Sequence, residues 1–492
     1  MKTSRWITAG VGLLLLLISI WQLETSDSGL TITHLRTGDL PVTLISPAGD
    51  NIGDRPLVLI GHGVAGSRVI MRGFALTMAH AGYNVAMWDF AGHGSNPLPL
   101  PADRESDTLV KDAEAALIAA QENGLGKSGQ IAVLGHSMGS GMALSYGVTH
   151  PETMATIAVS PVDRPVTPQL PRNLLLLAEG LDQRFVHNAE ELLQAAGGPG
   201  GDVLAGTARR MVTVPGVEHI TILFSPSAHQ EARQWLDSTF GIQPQAEEYI
   251  DRRIWWYVLG LIGTLLMFWS IAPLVTGSDV EYYEQPTMSL LRRIGALIVG
   301  ALGATSILYV LSQAGLQLND LLGLLVGGYM LLWFAIAGAL SMLLLGRMPA
   351  QLAWPPILGS LLVFAALWIG VGLLGSYVWL PWLLIPKRLI LWPLGVVLAL
   401  PWLLAVAQAM LPTRRLGRAA WWLGYSLILV GALFLSIRLN PELSFLVLIL
   451  PVFPVILGLH AIAAGPYRWR TTFALGGALF IGWLVLAVFP LQ

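Results

Sequence analysis

The chain predicts two architectures in succession: an α/β domain built on a mostly parallel sheet, then an all-α domain of several transmembrane helices. Composition is the first ground. Over 492 residues, 54% hydrophobic and 12% charged side chains with a mean hydropathy of +0.63 lie outside the range of a wholly water-soluble protein. The second ground is distribution: residues 31–240 carry short apolar runs parted by polar stretches, whereas the chain beyond 253 is a succession of runs of spanning length. The third is the order within 31–240, where strand-like and helix-like patterns alternate as they do when parallel strands are joined by helical crossovers.

Composition also excludes. A formal net charge of -2 without a dense Lys/Arg run gives no case for a nucleic-acid partner. The absence of cysteine removes disulfides, thiolate catalysis and cysteine-held zinc.

In chain order, Lys2 and Arg5 precede an apolar run at 6–21, and residues 1–23 are expected to form a retained signal anchor. The alternative, a cleaved signal peptide, lacks a small-x-small site, because Gln22-Leu23-Glu24-Thr25-Ser26 follows. Residues 30–240 make the α/β domain. Strands are expected at 57–60, 84–88, 131–134, 156–160, 174–178 and 211–214, and helices at 70–81, 107–122, 139–150, 189–196 and 226–240. A sheet of this kind is covered on both faces and binds ligands at the carboxyl ends of its strands.

A polar linker at 241–253 leads to a membrane domain at 254–492 of about eight helices. The runs fall near 254–276, 294–313, 321–345, 356–376, 389–411, 419–438, 443–464 and 471–490, each close to the ~20 residues a bilayer requires. With the anchor they make nine spans, and the stretch from Tyr377 to Pro386 reads as a re-entrant turn. Arg292, Arg293, Arg347, Arg414, Arg415, Arg418, Arg468 and Arg470 share the side of Lys2 and Arg5, against Arg252, Arg253, Lys387, Arg388 and Arg438 opposite. That bias places the α/β domain on the extracytoplasmic side of a cell membrane, the inner membrane by expectation. Tryptophans at span ends, such as Trp255, Trp256, Trp354, Trp379, Trp382, Trp421 and Trp422, fit an interfacial belt. The span centres hold almost no ionisable groups. Gln408 and His460 are read as interfacial polar residues, which argues against a charged transport path.

Chemistry concentrates at 131–141, IAVLGHSMGSG. Four apolar residues run into Gly135-His136-Ser137-Met138-Gly139 and on into a small-residue helical pattern. A turn this tight forces Ser137 into a strained conformation that lifts its hydroxyl clear of the sheet, and the flanking glycines make room for strand and helix to approach. A serine hydroxyl is a weak nucleophile at neutral pH and needs a base.

Together with Gly61-His62-Gly63, Asp89 to Ser95 (DFAGHGS) and Pro215 to Leu223 (PGVEHITIL), this segment makes residues 55–240 resemble a serine hydrolase of the α/β-hydrolase fold. The resemblance covers most of the soluble half and none of the membrane half. It implies a catalytic triad in the order nucleophile, acid, histidine. Ser137 is then the nucleophile, and His219, in the loop before a helix opened by Ser225 and Pro226, is the base. His229, three residues into that helix, reads as solvated, and His187 comes too early. Asp182, with the loop reach to hold the imidazole, is favoured as the acid over Glu179 at the strand end; Asp163 is a further alternative. The oxyanion hole is expected from the backbone N–H groups of Val64 and Met138. His62, His93 and His136 are assigned structural roles within family loops, so no metal and no cofactor is expected.

Between the strands ending at Ser160 and starting at Leu174 lies only a proline-rich segment, PVDRPVTPQLPRN, where many relatives insert a helical cap. An open site suited to a bulky or membrane-borne substrate is therefore expected. The resemblance implies serine hydrolase chemistry without fixing a substrate; joined to the apolar spans on both sides of the domain, it leads to the expectation of a membrane-embedded, esterase- or lipase-like serine hydrolase, with lipid or acyl esters as substrates and the bilayer as its setting. The rival readings are a non-catalytic sensor or docking module of a membrane transporter, and an acyltransferase or peptidase using the same triad.

Overall fold

The structure, a computed structural model, describes residues 2–49, 52–101, 106–276, 288–346, 353–409, 415–467 and 469–492. It comprises two compact units. One is Ile20–Tyr257 with Gly375–Pro381 and Pro490–Gln492; the other is Met1–Ser19, Val258–Leu374 and Trp382–Phe489.

The first unit is an α/β sandwich on an eight-stranded sheet of order β1-β2-β4-β3-β5-β6-β7-β8. Its strands are β1 (Leu30–Thr37), β2 (Leu40–Pro47), β3 (Leu57–Gly61), β4 (Asn84–Trp88), β5 (Ile131–His136), β6 (Ala155–Val159), β7 (Leu174–Glu179) and β8 (Arg209–Val214). From β4 to β8 across the sheet every pairing is parallel, whereas β1 with β2 and β2 with β4 pair antiparallel. The six strands expected from the sequence are β3 to β8. The β1–β2 hairpin was not among the expected strands. Its two-residue turn is Gly38-Asp39, with Gly38 at φ 59, the pattern that short hairpin loops demand.

The helices of this unit are α1 (Lys2–Thr25), which enters it from Ile20, then α2 (Arg72–His80), α3 (Ser106–Glu122), α4 (Met138–Thr149), α5 (Gln183–Ala195) and α6 (Pro226–Phe240). Successive strand residues point to opposite faces, and both faces are apolar. Val58, Ile60 and Leu134 join Phe74 of α2 and Trp235 of α6 in one core, while Leu57, Leu59 and Val133 join Ala116 of α3 and Met142 of α4 in another. Leu174 and Leu176 pack on Ala189 and Leu192 of α5 in a third. The α6 start behaves as its sequence indicates: Pro226 takes the first turn and the Ser225 hydroxyl accepts from the Ala228 N–H. Segment 161–173, described throughout, contains no helix.

Register brings the functional loops together. Gly61 pairs with Gly135, His136 with Val159, Val159 with Leu177, and Glu179 with Val214, so β3, β5, β6, β7 and β8 end side by side. Two short segments remote in sequence also belong to this unit. Tyr377 O accepts from Arg253 Nη1 at 2.8 Å. Leu491 donates its N–H to Gly92 O at 2.8 Å and accepts from the Leu100 N–H at 2.8 Å.

The later helices are α7 (Arg253–Thr276), α8 (Leu290–Gln313), α9 (Gly327–Leu345), α10 (Trp354–Leu367), α11 (Pro386–Ala409), α12 (Arg415–Leu439), α13 (Leu446–Ile449), α14 (Val452–Ala463) and α15 (Arg470–Val488). A π-helical stretch, Trp368–Leu373, and a 3-10 turn, Leu374–Tyr377, extend α10. Among the described residues, eight helices are long and apolar enough to cross a membrane, one of them N-terminal. The run at 443–464 is not one of these, because it divides into α13 and α14. Pro451 and Pro454 have no N–H for the carbonyls one turn back, so the helix breaks at the first of them. The stretch after Tyr377 is an irregular loop up to Pro386. In α1 and α7, a Cβ on Gly12 would lie 2.8 Å from Gly263 O, and one on Gly263 would lie 2.7 Å from Gly12 O, the close backbone approach that small residues allow between apolar helices. Arg347, Arg414 and Arg468, three of the arginines behind the expected orientation, lie outside the described residues.

Candidate active site

Ser137 sits between β5 and α4 with φ 53 and ψ -117, a left-handed conformation that a non-glycine residue adopts only when its surroundings enforce it. Its N–H is held by Val159 O at 2.9 Å. The glycines two positions away are obligatory for packing: a Cβ on Gly135 would lie 1.8 Å from Gly139 O, and one on Gly139 would lie 2.5 Å from Gly61 O. Strand and helix thus close on each other with no room for a side chain, and the serine is pushed out at the apex.

His219, five residues beyond β8, reaches back over the strand ends. Its Nε2 lies 3.1 Å from Ser137 Oγ and its Nδ1 lies 2.8 Å from Glu179 Oε1. The other carboxylate oxygen of Glu179 accepts from the Ser160 hydroxyl at 2.7 Å. A carboxylate, an imidazole and a hydroxyl therefore form one hydrogen-bonded line, which can pass a proton from Ser137 to His219 while Glu179 holds the ring in one tautomer. Both ionisable groups are buried. Burial holds the His219 imidazole well below its ordinary value, at about 4, so that it is neutral and able to accept a proton at pH 7. Burial also pushes the Glu179 carboxyl upward, an effect that its bond from Ser160 opposes.

Asp182, favoured from the sequence for the contact with His219, does not make it. Its carboxylate faces the start of α5, where Oδ1 accepts from the Arg184 N–H at 3.1 Å and from Arg184 Nε at 3.0 Å, and Oδ2 accepts from Arg184 Nη2 at 2.5 Å. Asp182 is a helix N-cap, and the arginine beside it keeps its carboxyl below the usual range. Glu179 makes the contact instead. It is the last residue of β7, already over the strand ends, and its longer side chain spans the remaining gap. Asp163 is exposed in the 161–173 segment.

Val64 and Met138 flank the serine. Met138 opens α4, so its N–H is one of the first-turn donors that no helical carbonyl takes. Val64 follows Gly63, where a Cβ would lie 3.2 Å from the Ser137 Cβ, which puts the β3 loop against the serine. His62, His93 and His136 each donate a ring N–H to a backbone carbonyl, of Gly63 at 2.8 Å, Ala91 at 2.9 Å and His219 at 3.0 Å. His62 Nε2 also accepts from the Phe90 N–H at 3.1 Å, joining the loops after β3 and β4. His229 is buried rather than solvated: it packs against Phe74 of α2 and donates from Nε2 to Leu223 O at 2.9 Å. His187 is exposed beside Glu191.

Two contributors went unread in the sequence: Ser160 orients Glu179, and Phe185 stacks on the His219 ring. His136, expected to be structural, ties its own loop to the His219 backbone. Only Ser160 left a local trace, as a polar residue closing an apolar strand run.

Residues 54–195 match the family described as serine aminopeptidase, S33. Two uncharacterized proteins from strains of Mycobacterium tuberculosis are each 30% identical over 189 residues, covering 34% of this chain. The chain spans 64% of the length of these curated relatives. Among solved structures, a CIB-like hydrolase from Thermoplasma acidophilum is similar at 18% identity and a TM-score of 0.34, covering 42% of this chain and 97% of its own. A bacterial membrane phospholipase A is similar at 15% identity and a TM-score of 0.35, covering 46% of this chain and 92% of its own. No substrate follows from likenesses this distant. The mostly parallel eight-stranded sheet and the family match together indicate an α/β-hydrolase domain, followed in the chain by a helical region with several membrane-length apolar helices.

Proposed function

We propose that this protein is a membrane-embedded serine hydrolase that cleaves carboxylic esters, lipid-like acyl esters above all, through an acyl-enzyme on Ser137. The observation that carries the proposal is the continuous line Ser137, His219, Glu179, with contacts of 3.1 and 2.8 Å. As Ser137 Oγ attacks the ester carbonyl, His219 Nε2 takes its proton and Glu179 steadies the Nδ1–H of the imidazolium. The carbonyl oxygen becomes an oxyanion facing the N–H groups of Met138 and Val64. Collapse breaks the bond to the alcohol, which leaves with the proton from His219. Water then gives a proton to His219, attacks the acyl carbon and releases the acid, and the proton returns to Ser137. Two features favour a lipid-like substrate: the membrane-length apolar helices in the same chain, and a 161–173 segment that supplies no cap helix.

The test is labelling by a fluorophosphonate probe, with turnover of acyl esters of graded chain length. The wild type is expected to label and Ser137→Ala to lose both labelling and turnover; equal labelling of the two proteins refutes the proposal and favours the sensor reading. The description of the matching family favours a second reading, peptide hydrolysis by the same residues. Turnover of aminoacyl amides in preference to acyl esters would select it.

A further inference from the structure

We propose that Phe185 is a positioning residue for His219, covering and orienting its imidazole in the place a cap would occupy, and that Asp182 serves the site by capping the helix that carries Phe185. This rests on the reading of Ser137 and His219 given above.

The starting point is a mismatch between cover and connectivity. The segment joining β6 to β7 has no helix, yet Ser137 is only 6% exposed and His219 only 3%. The cover over His219 comes from the next crossover. Phe185, in the first turn of α5, lies nearly parallel on the imidazole, with ring centroids 4.3 Å apart and planes 20° apart. The bland account of a buried phenylalanine on an amphipathic helix is core packing. Here Ala189, Leu192 and Leu193 of the same helix enter the core against β7, whereas Phe185 is absent from that cluster. Its partner is the histidine.

The contact supplies what the hydrogen bonds cannot. Bonds from Nδ1 and Nε2 lie in the ring plane and leave the ring free to tilt about the line that joins them. A flat ring against its face removes that tilt and keeps water off the imidazole. Phe185 is held there in turn. Asp182 caps α5, Arg184 grips Asp182 with Nε and Nη2, and its guanidinium lies 5.8 Å from the Phe185 ring centroid. The titratable and charged groups facing His219 are Glu179 on β7, His136 on β5, Glu218 beside it in the loop, and Asp182 with Arg184 at the start of α5. Of the influences on the His219 charge, burial is the largest, so water admitted to the ring raises its proton affinity.

The experiment follows the rate of fluorophosphonate labelling of Ser137 in the purified full chain from pH 3.5 to 8, with thermal unfolding as a fold control. In the wild type the acid limb is expected near pH 4. Phe185→Ala is expected to move it upward toward ~6.5 and to slow labelling at pH 7 by about 10- to 100-fold. Phe185→Leu keeps the ring dry without a flat contact, so it slows labelling while leaving the limb in place. Asp182→Ala, which loses the cap, is expected to move the limb as Phe185→Ala does, and Asp182→Asn, which retains a capping side chain, is not. An unmoved limb and rate in Phe185→Ala overturns the proposal. If that variant does not fold, identical profiles for Asp182→Ala, Asp182→Asn and the wild type overturn it. A wild type that never labels sinks the hydrolase reading itself, whereas a wild type that labels and a Phe185→Ala variant with the same limb and the same rate sink only the role of Phe185.

Discussion

At the residue scale the site turns on which carboxylate reaches His219. Asp182 and Glu179 are three positions apart and chemically alike, and their separation is geometric: one ends a strand beneath the imidazole, the other starts a helix and spends its oxygens on Arg184. Glu179→Gln is therefore expected to lower kcat by about 10³- to 10⁴-fold, since the amide cannot stabilise the imidazolium, and Asp182→Asn to change it by no more than a few-fold. Ester turnover at pH 7 compares the two, and equal losses would contradict the geometry. The pH profile follows from burial. A base must be neutral to act, and His219 is held at about 4 instead of 6.5, so the acid limb of kcat/KM is expected near pH 4. A limb near 6.5 would mean that water reaches the ring in the working enzyme.

At the scale of elements, β5, the turn and α4 were legible because a buried strand, a glycine-flanked serine and a small-residue helix leave local marks. The hairpin of β1 and β2 was not among the expected strands, although Gly38-Asp39 between two strand-length runs was its signal. The break between α13 and α14 had an equally local signal in Pro451 and Pro454, which hydropathy averaged over a span conceals. The loop after β4 depends on a residue nearly four hundred positions away. Gly92 has φ 77, and a Cβ there would lie 2.5 Å from Leu491 O. Gly92→Ala is accordingly expected to destabilise the hydrolase unit by roughly 1–3 kcal/mol, read as a lower unfolding midpoint in denaturant. Ser225→Ala removes the α6 cap and is expected to cost about 1 kcal/mol in the same assay.

At the scale of the whole molecule, several arginines used to infer orientation have other duties. Arg293 donates to Ala409 O at the end of α11, Arg418 to Gly465 O just beyond α14, and Arg388 to Phe489 O just beyond α15. Each meets the negative end of a helix, which secures an arginine whichever side of a membrane it faces, Arg388 being buried and Arg293 and Arg418 half-buried. Arg253 is paired with Asp251 at 2.8 Å. Orientation is better tested directly, and a chain without cysteine is suited to it. Leu204→Cys, at a position 91% exposed, is expected to react with an impermeant maleimide in intact cells if the hydrolase unit is extracytoplasmic. Protection until the cells are lysed would reverse the assignment. Stability should also respond to acid. Burial holds His62, His136, His219 and His229 below 6.5, so the unfolded chain binds protons that the folded one does not. Their contribution is complete above pH 6.5 and is lost as pH falls toward about 4 for His219 and about 3 for His136. Glu179 and Asp112, both pushed upward by burial, work in the opposite sense, two groups against these four. The unfolding midpoint is expected to drop between pH 6.5 and 4.

What the sequence by itself determined were the properties written in nearest neighbours and in periods: the alternation that makes a parallel sheet, the apolar runs of membrane length, the strained serine turn and the capped final helix of the hydrolase unit. Hydrophobic period and turn chemistry are local, and local physics is readable one segment at a time. The tertiary structure decided which carboxylate meets His219, that Phe185 lies on its face, that His136 holds its backbone, and that Leu491 closes the loop at Gly92. Those outcomes depend on strand register and side-chain reach over tens to hundreds of residues, where two acids three positions apart look the same until the sheet has aligned their ends.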